Sequence, residues 1–217
     1  MADSIPKNAV DVFRNRKGFR VLLEYFKGGY LKDIGWYKSY WLKKPVDAND
    51  QPIPWTTYSF IDFIADRLTS NMMLVEYGSG NSTLFFSKKV KKVFSVEHDD
   101  AWYASMKKAV PENVSLSFIP LEYNGEYSRF SLNTGEKAQV IIVDGRDRVN
   151  SIKQSIAALS EDGIIVLDDS ERPQYQSAIS FLQEHHFKRI DFSGIAPGLF
   201  YKKVTSVFYR KNNCLNI

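Results

Sequence analysis

The sequence predicts an α/β domain built on a doubly wound, mostly parallel sheet, with helices on both faces and an antiparallel strand near the C-terminus. Three observations predict it. From Ser59 onward, short apolar, β-branched runs alternate with stretches of helical length. The last two apolar runs are joined without a helical stretch. A glycine turn follows the first run, where a sheet of this kind opens its ligand crevice.

Taken in order, Phe60, Ile61, Phe63, Ile64 and Leu68 recur at spacings of three and four, which marks one apolar helix face leading into the core. Met73 to Tyr77, Val93 to Val96, Val114 to Ile119, Val140 to Val143 and Ile164 to Leu167 read as five parallel strands. Helices are expected over Ser82 to Val90, Asp100 to Val110, Val149 to Leu159 and Arg172 to His185. Phe187 to Phe192 and Val204 to Arg210 flank a loop containing Pro197-Gly198, so they are expected to pair antiparallel.

The chain divides into an aromatic-rich N-terminal lid or extension, residues 1–58, and a ligand-binding domain, residues 59–217. The net charge of +4 lies wholly in the first part, which carries 10 basic and 6 acidic side chains against 19 of each in the remainder. The same part holds 11 of the 31 aromatics, including Trp36, Trp41 and Trp55, so it is too apolar for a disordered tail and should dock. Gly28-Gly29, Gly35, Pro45, Pro52 and Pro54 interrupt it, which allows helix from about Val10 to Phe26 and irregular structure afterwards. Trp55 and Tyr58 either pack in the core or wall a ligand site.

So small a net charge does not suit a protein whose main work is gripping phosphates, and no nucleic-acid partner is expected. No apolar stretch of signal or membrane-span length occurs, so a cytoplasmic location without a membrane partner is expected. Cys214, the one cysteine, is expected to be inert. Oligomeric state cannot be read from the sequence.

The first strand runs into Glu76-Tyr77-Gly78-Ser79-Gly80-Asn81-Ser82-Thr83. Two glycines permit positive φ and close approach of a ligand to the backbone, and Ser82 and Thr83 can cap the next helix. The second strand ends in Glu97-His98-Asp99, with Glu97 17 residues after Gly80, where an acid can accept both ribose hydroxyls. Together these signals indicate an adenosine-type cofactor. A nicotinamide dinucleotide site usually keeps a third glycine where this chain has Thr83, which disfavours pyrophosphate. The fourth strand ends in Asp144-Gly145-Arg146-Asp147-Arg148 and the fifth in Asp168-Asp169, so three carboxylates should converge near the ligand. Their repulsion must be offset by a proton, an arginine or a cation.

Over roughly Ser59 to Lys211 the chain resembles the class I S-adenosylmethionine-dependent methyltransferases. The resemblance rests on Glu76 to Thr83, Val96-Glu97-His98-Asp99, Val143 to Arg148, Leu167 to Arg172 and Thr205-Ser206-Val207-Phe208. It implies a seven-stranded Rossmann-like methyltransferase fold and S-adenosyl-L-methionine as cofactor. By the same analogy Glu76, Gly78, Ser79, Gly80, Asn81, Ser82 and Thr83 surround the methionine and ribose moieties. Glu97 holds the ribose hydroxyls, and His98, Trp55 and Asp144 adjoin the cofactor. The third strand, Ser117-Phe118-Ile119-Pro120-Leu121, lacks the acid that many relatives use for the adenine amine.

Three accounts of the acids are open. In one, Asp144 is a general base or orients the acceptor, with Arg146 or Arg148 binding an acidic substrate group and Asp169 assisting. In another, Asp144, Asp168 and Asp169 hold a divalent metal ion, as acids do in catechol-type O-methyltransferases, although those place an amide where this chain has Asp169. In the third, Arg146, Arg148 and Arg172 pair with the acids in a structural network. The chain has no Asn-Pro-Pro-Tyr or Asp-Pro-Pro-Tyr after the fourth strand, which favours O-methylation of a small-molecule acceptor, acidic or sugar-like. The competing readings are an NAD-binding oxidoreductase and a non-catalytic cofactor-binding module.

Overall fold

The strands are β1 (Met73–Tyr77), β2 (Lys92–Glu97), β3 (Val114–Phe118), β4 (Ala138–Val143), β5 (Leu159–Leu167), β6 (Lys188–Gly194) and β7 (Lys203–Tyr209). In the computed structural model, which describes residues 28–217 together with Arg16, Lys17, Phe19, Arg20 and Leu23, they form one sheet in the order β3-β2-β1-β4-β5-β7-β6. Strands β1 to β5 are parallel neighbours. Strand β7 pairs antiparallel with both β5 and β6, Leu167 lying opposite Ser206 and Gly194 opposite Lys203. The helix-free ending expected from the sequence is this pair.

Alternation along the central strands explains why the sheet is covered on both faces. Ile141, Val143, Ile165 and Leu167 pack on one side with Tyr127, Phe130, Ile152, Ile179 and Leu182. Their neighbours Val140, Ile142, Ile164 and Val166 pack on the other with Phe60, Ile64 and Phe86. Each fully buried aliphatic side chain of this kind stabilises the fold by roughly 1.5–3 kcal/mol. The first layer is supplied by α6 (Glu126–Arg129), α7 (Arg148–Ser155) and α8 (Gln176–Glu184), the second by α3 (Tyr58–Ala65) and α4 (Asn81–Ser87), while α5 (Asp100–Met106) follows β2.

Several elements differ from expectation. Helix α4 stops at Ser87 and α5 at Met106, short of Val90 and Val110. Leu159, expected in a helix, opens β5, because the helix tightens into a 3₁₀ turn at Ile156–Ala158 and ends. Between β3 and β4, where no helix was expected, α6 continues into a 3₁₀ turn at Phe130–Asn133. The expected helix from Val10 to Phe26 lies outside the described residues, apart from Arg16, Lys17, Phe19, Arg20 and Leu23, which are helical.

The segment after it is irregular from 43 to 57, as expected, but not before. Two short helices, α1 (Tyr30–Asp33) and α2 (Trp36–Leu42), each start at a glycine with positive φ, Gly29 at 95° and Gly35 at 77°. The interruptions expected to break helix therefore begin it. Residues of this segment dock on the β6–β7 connection: Trp36 Nε1 donates to Leu199 O at 2.9 Å, Trp55 Nε1 to Pro197 O at 2.8 Å, and Tyr58 N to Ile195 O at 3.2 Å. Trp36, Ile53, Tyr58 and Ile61 form a small apolar cluster beneath them. Tyr58 is thus core rather than cleft wall. Among the described residues, no helix is long and apolar enough to cross a membrane.

Candidate active site

The strand order reverses between β1 and β4, and the two loops leaving their carboxyl ends touch. A Cβ on Gly78 would lie 2.9 Å from Gly145 Cα, and one on Gly145 would run into the Tyr127 hydroxyl. Gly78 also has φ of 92°, so both its backbone and its contact require glycine. Gly80 differs from the expectation of positive φ, for its backbone is extended at 169°. A Cβ there would meet nothing nearer than the Trp102 ring at 4.0 Å, so what this glycine leaves bare is the cleft wall.

A cleft of about 430 Å³ opens beside this junction, a size suited to a small ligand. Of the residues expected to bind a cofactor, Gly78, Ser79, Gly80, Asn81, Ser82, Glu97, His98, Trp55 and Asp144 line it. Glu76 and Thr83 do not. Glu76 is buried beneath the turn, where its Oε2 accepts from Thr83 Oγ1 at 2.5 Å and Ser95 Oγ at 3.0 Å. Thr83 Oγ1 in turn accepts from Gly80 N at 2.9 Å. The residue that stands where a dinucleotide site would have its third glycine therefore clamps the turn from below. Desolvation pushes the Glu76 carboxyl up to about 7 against the hydroxyl donors around it, and its Oε1 has no hydrogen-bond partner among the described residues.

Glu97 is held quite differently. Its Oε2 accepts from Ser79 N at 3.1 Å and Ser79 Oγ at 3.0 Å, while Oε1 accepts from His98 N at 2.8 Å and Asp99 N at 3.0 Å. Three of these donors are backbone N–H groups, so the strand end itself fixes the carboxylate at the cleft. Asp99 caps α5 by accepting from Trp102 N at 2.8 Å. That cap turns Trp102 toward the glycine turn, where its Nε1 donates to Ser79 O at 2.8 Å. Sequence reasoning missed Trp102. The signal was there, since Asp99, two residues after Glu97, is an N-cap whose third following residue is Trp102, and that residue rises beside the crevice. It also missed Lys43, Lys44 and Pro45, which line the cleft because Asn81 Nδ2 donates to Pro45 O at 2.6 Å.

Across the cleft, Asp144, Asp168 and Asp169 each offer an oxygen, all within 4.8 Å of one another. Cations of the chain fill this cluster. Arg148 Nη2 lies 3.0 Å from Asp144 Oδ1 and its Nη1 3.3 Å from Asp169 Oδ2; Arg172 Nη2 lies 2.9 Å from Asp169 Oδ2. Lys203, which sequence reasoning did not single out, lies 2.5 Å from Asp168 Oδ2 and 2.9 Å from Asp169 Oδ1. Asp168 is 0% exposed and gives its other oxygen to Thr205 Oγ1 at 2.7 Å. A divalent ion does not fit these acids as they stand, because both oxygens of Asp168 and both of Asp169 are already committed and, among the described residues, only Oδ2 of Asp144 stays open. Arg148 also donates to the carbonyls of Gly145, Asp144 and Asp168, so it has no donor to spare for a substrate. Arg146 is exposed and lines the cleft, and no partner of its guanidinium occurs among the described residues. Asp144 keeps 28% of its side-chain surface. Desolvation, and after it the charge of Asp168, hold its carboxyl well above the ordinary range.

No family model matches the chain, and no curated protein does. Solved structures do. A precorrin-6y C5,15-methyltransferase from Geobacter metallireducens superposes with a TM-score of 0.55 at 15% identity, covering 70% of this chain and 87% of that one. A putative methyltransferase from Streptococcus mutans in complex with SAH gives 0.51 at 15% identity, over 68% and 94%. An rRNA methylase from Streptococcus thermophilus gives 0.51 at 15% identity, over 69% and 93%. The chain has the class I methyltransferase fold. Because an rRNA methylase shares it, the methyltransferase fold does not support the expectation that nucleic acid is excluded as a partner.

Proposed function

We propose that the chain transfers the methyl group of S-adenosyl-L-methionine to an oxygen of a small anionic acceptor. The observation that carries this reading is one cleft with Glu97 and the glycine turn on one side and Asp144 with Arg146 on the other. When bound, the cofactor supplies a methyl group on a sulfonium, so the chain need form no covalent intermediate. What remains for the protein is to align the acceptor, manage its proton and exclude water.

Glu97 is the residue to receive the ribose hydroxyls, the Ser79 hydroxyl being the donor that can turn aside. Trp102 and His98 take the place of the missing acid of the third strand and flank the adenine. Asp144, with its carboxyl held above the ordinary range, accepts the acceptor's proton. Arg146, Lys43 and Lys44 meet the acceptor's negative group, since no partner of these side chains occurs among the described residues. Asp169 is assigned to positioning, because both of its oxygens are ion-paired. Residues 28–58 act as a lid, with Trp55 as its inner face.

Calorimetric titration with S-adenosyl-L-methionine and with NADH tests the reading. Heat is expected with the first alone, and Glu97→Gln should weaken it by about 1.5–3 kcal/mol, roughly 10- to 100-fold. Labelled methyl donor with hydroxy acids, sugar phosphates, neutral sugars and RNA then identifies the acceptor. Binding of NADH in preference would overturn the cofactor, binding without transfer to any of these would favour the non-catalytic module, and transfer to RNA alone would overturn the acceptor class.

A further inference from the structure

We infer that Lys203 is a built-in cation standing in for a divalent metal ion among Asp144, Asp168 and Asp169, so that this centre needs no metal. The claim does not depend on which group is methylated. Three carboxylate oxygens within 4.8 Å of one another are an arrangement that only a cation or a shared proton makes tolerable. An ammonium carries three N–H donors and no acceptor. All three are spent here: on Asp168 Oδ2 at 2.5 Å, Asp169 Oδ1 at 2.9 Å and the Trp55 carbonyl at 3.1 Å. Lys203 is itself buried, at 6% exposure. Burial works against its charge, yet Asp168, Asp144 and Asp169 outweigh that and hold it above its ordinary value, so it stays cationic.

Among the described residues, only Oδ2 of Asp144 is left without a cationic or hydroxyl partner, and one open oxygen does not make a divalent site. Thr205 takes the other oxygen of Asp168, Arg148 and Arg172 take the other oxygen of Asp169, and Arg148 takes Oδ1 of Asp144. Three acids thus face three cations. A divalent ion entering beside them would carry two uncompensated charges and would have to expel the ammonium from its hydrogen bonds. The antiparallel direction of β7 is what delivers this residue: its first position lies at the same sheet edge as the last position of β5. Through the Trp55 carbonyl, the same ammonium ties the centre to the wall of the cleft. Lys203 is therefore a positioning residue as well as a counter-charge.

Mn²⁺ titration followed by electron paramagnetic resonance tests this without any methylation assay. The wild-type chain is expected to take up no Mn²⁺ at submillimolar concentration, and Lys203→Ala to take up one ion per chain, lost again in Lys203→Ala combined with Asp169→Asn. Lys203→Met, which keeps most of the aliphatic stem, provides the comparison should the alanine variant fail to fold. Stoichiometric wild-type uptake that Asp169→Asn removes would overturn the inference, whatever the variants do. A folded lysine variant that still takes up no ion would overturn the claim that the ammonium is what excludes it.

Discussion

On the glycine-turn side of the cleft, Glu76 and Glu97 are held by hydroxyls and backbone N–H groups, with the His98 imidazole 2.9 Å from Glu97, whereas on the far side Asp144, Asp168 and Asp169 are held by Lys203, Arg148 and Arg172. The two kinds of partner have opposite consequences. Neutral donors fix Glu97 without adding a counter-charge, which suits the reception of sugar hydroxyls, whereas Glu76, sealed beneath the turn, is raised to about 7 by burial. Cationic partners spend the charge, so the far side is rigid and close to neutral despite three acids. A sulfonium between the two sides would feel Glu97 more than the larger cluster.

The largest effect should come from breaking the cation-held side. Asp168→Ala leaves Lys203 without its nearest counter-charge in a buried site, and a loss of about 3–5 kcal/mol is expected from urea melts. A loss under about 1 kcal/mol would mean that this side is solvated and that the contrast is false.

The neutral-donor side should show itself in the pH dependence of stability. Burial raises the folded-state value of Glu76 from 4.5 to about 7, so the folded chain holds its proton more tightly than the unfolded chain does. The contribution is fully present below pH 4.5 and is lost as pH rises through about 7, amounting to about 3 kcal/mol. Glu76→Gln should flatten that part of the stability curve. An unchanged slope in thermal melts between pH 5 and 8 would assign it to other groups.

The smallest effect belongs to the rim. Arg146→Ala should raise KM for an anionic acceptor by about 1 kcal/mol, roughly fivefold, with kcat nearly kept, because the guanidinium is exposed and weakly coupled. An equal fall in kcat with unchanged KM would move Arg146 into the chemical step and blur the difference between rim and centre.

How legible each feature was in the sequence depended on the range of the forces behind it. Strand β1 was bounded to the residue, since a run buried on both faces is ended by the glycine that must take positive φ. Helix ends were overrun, because apolar spacing continues past Ser87 and Met106 while the chain has already turned to meet the next strand. Helix α2 was missed because Gly35 reads as a break, yet it serves as a start wherever Asp47 and Ala48 pack against it. Glu76 and Glu97 looked alike in sequence and fell on opposite sides of the turn.

The apolar runs, the glycine turn and the acids at three strand ends are local in sequence, and through alternation and turn chemistry they determined by themselves the sheet and the edge at which a ligand would lie. Only tertiary structure decided how the acids are neutralised. Lys203 lies 35 residues beyond Asp168, and its place depends on β7 pairing antiparallel in one register with β5. The expected strand began at Val204, one residue after Lys203, so neither its burial nor the acid it meets was legible. Pairing across a sheet is settled by the whole packed core, and a charge buried by that pairing finds its partner only once the core has formed.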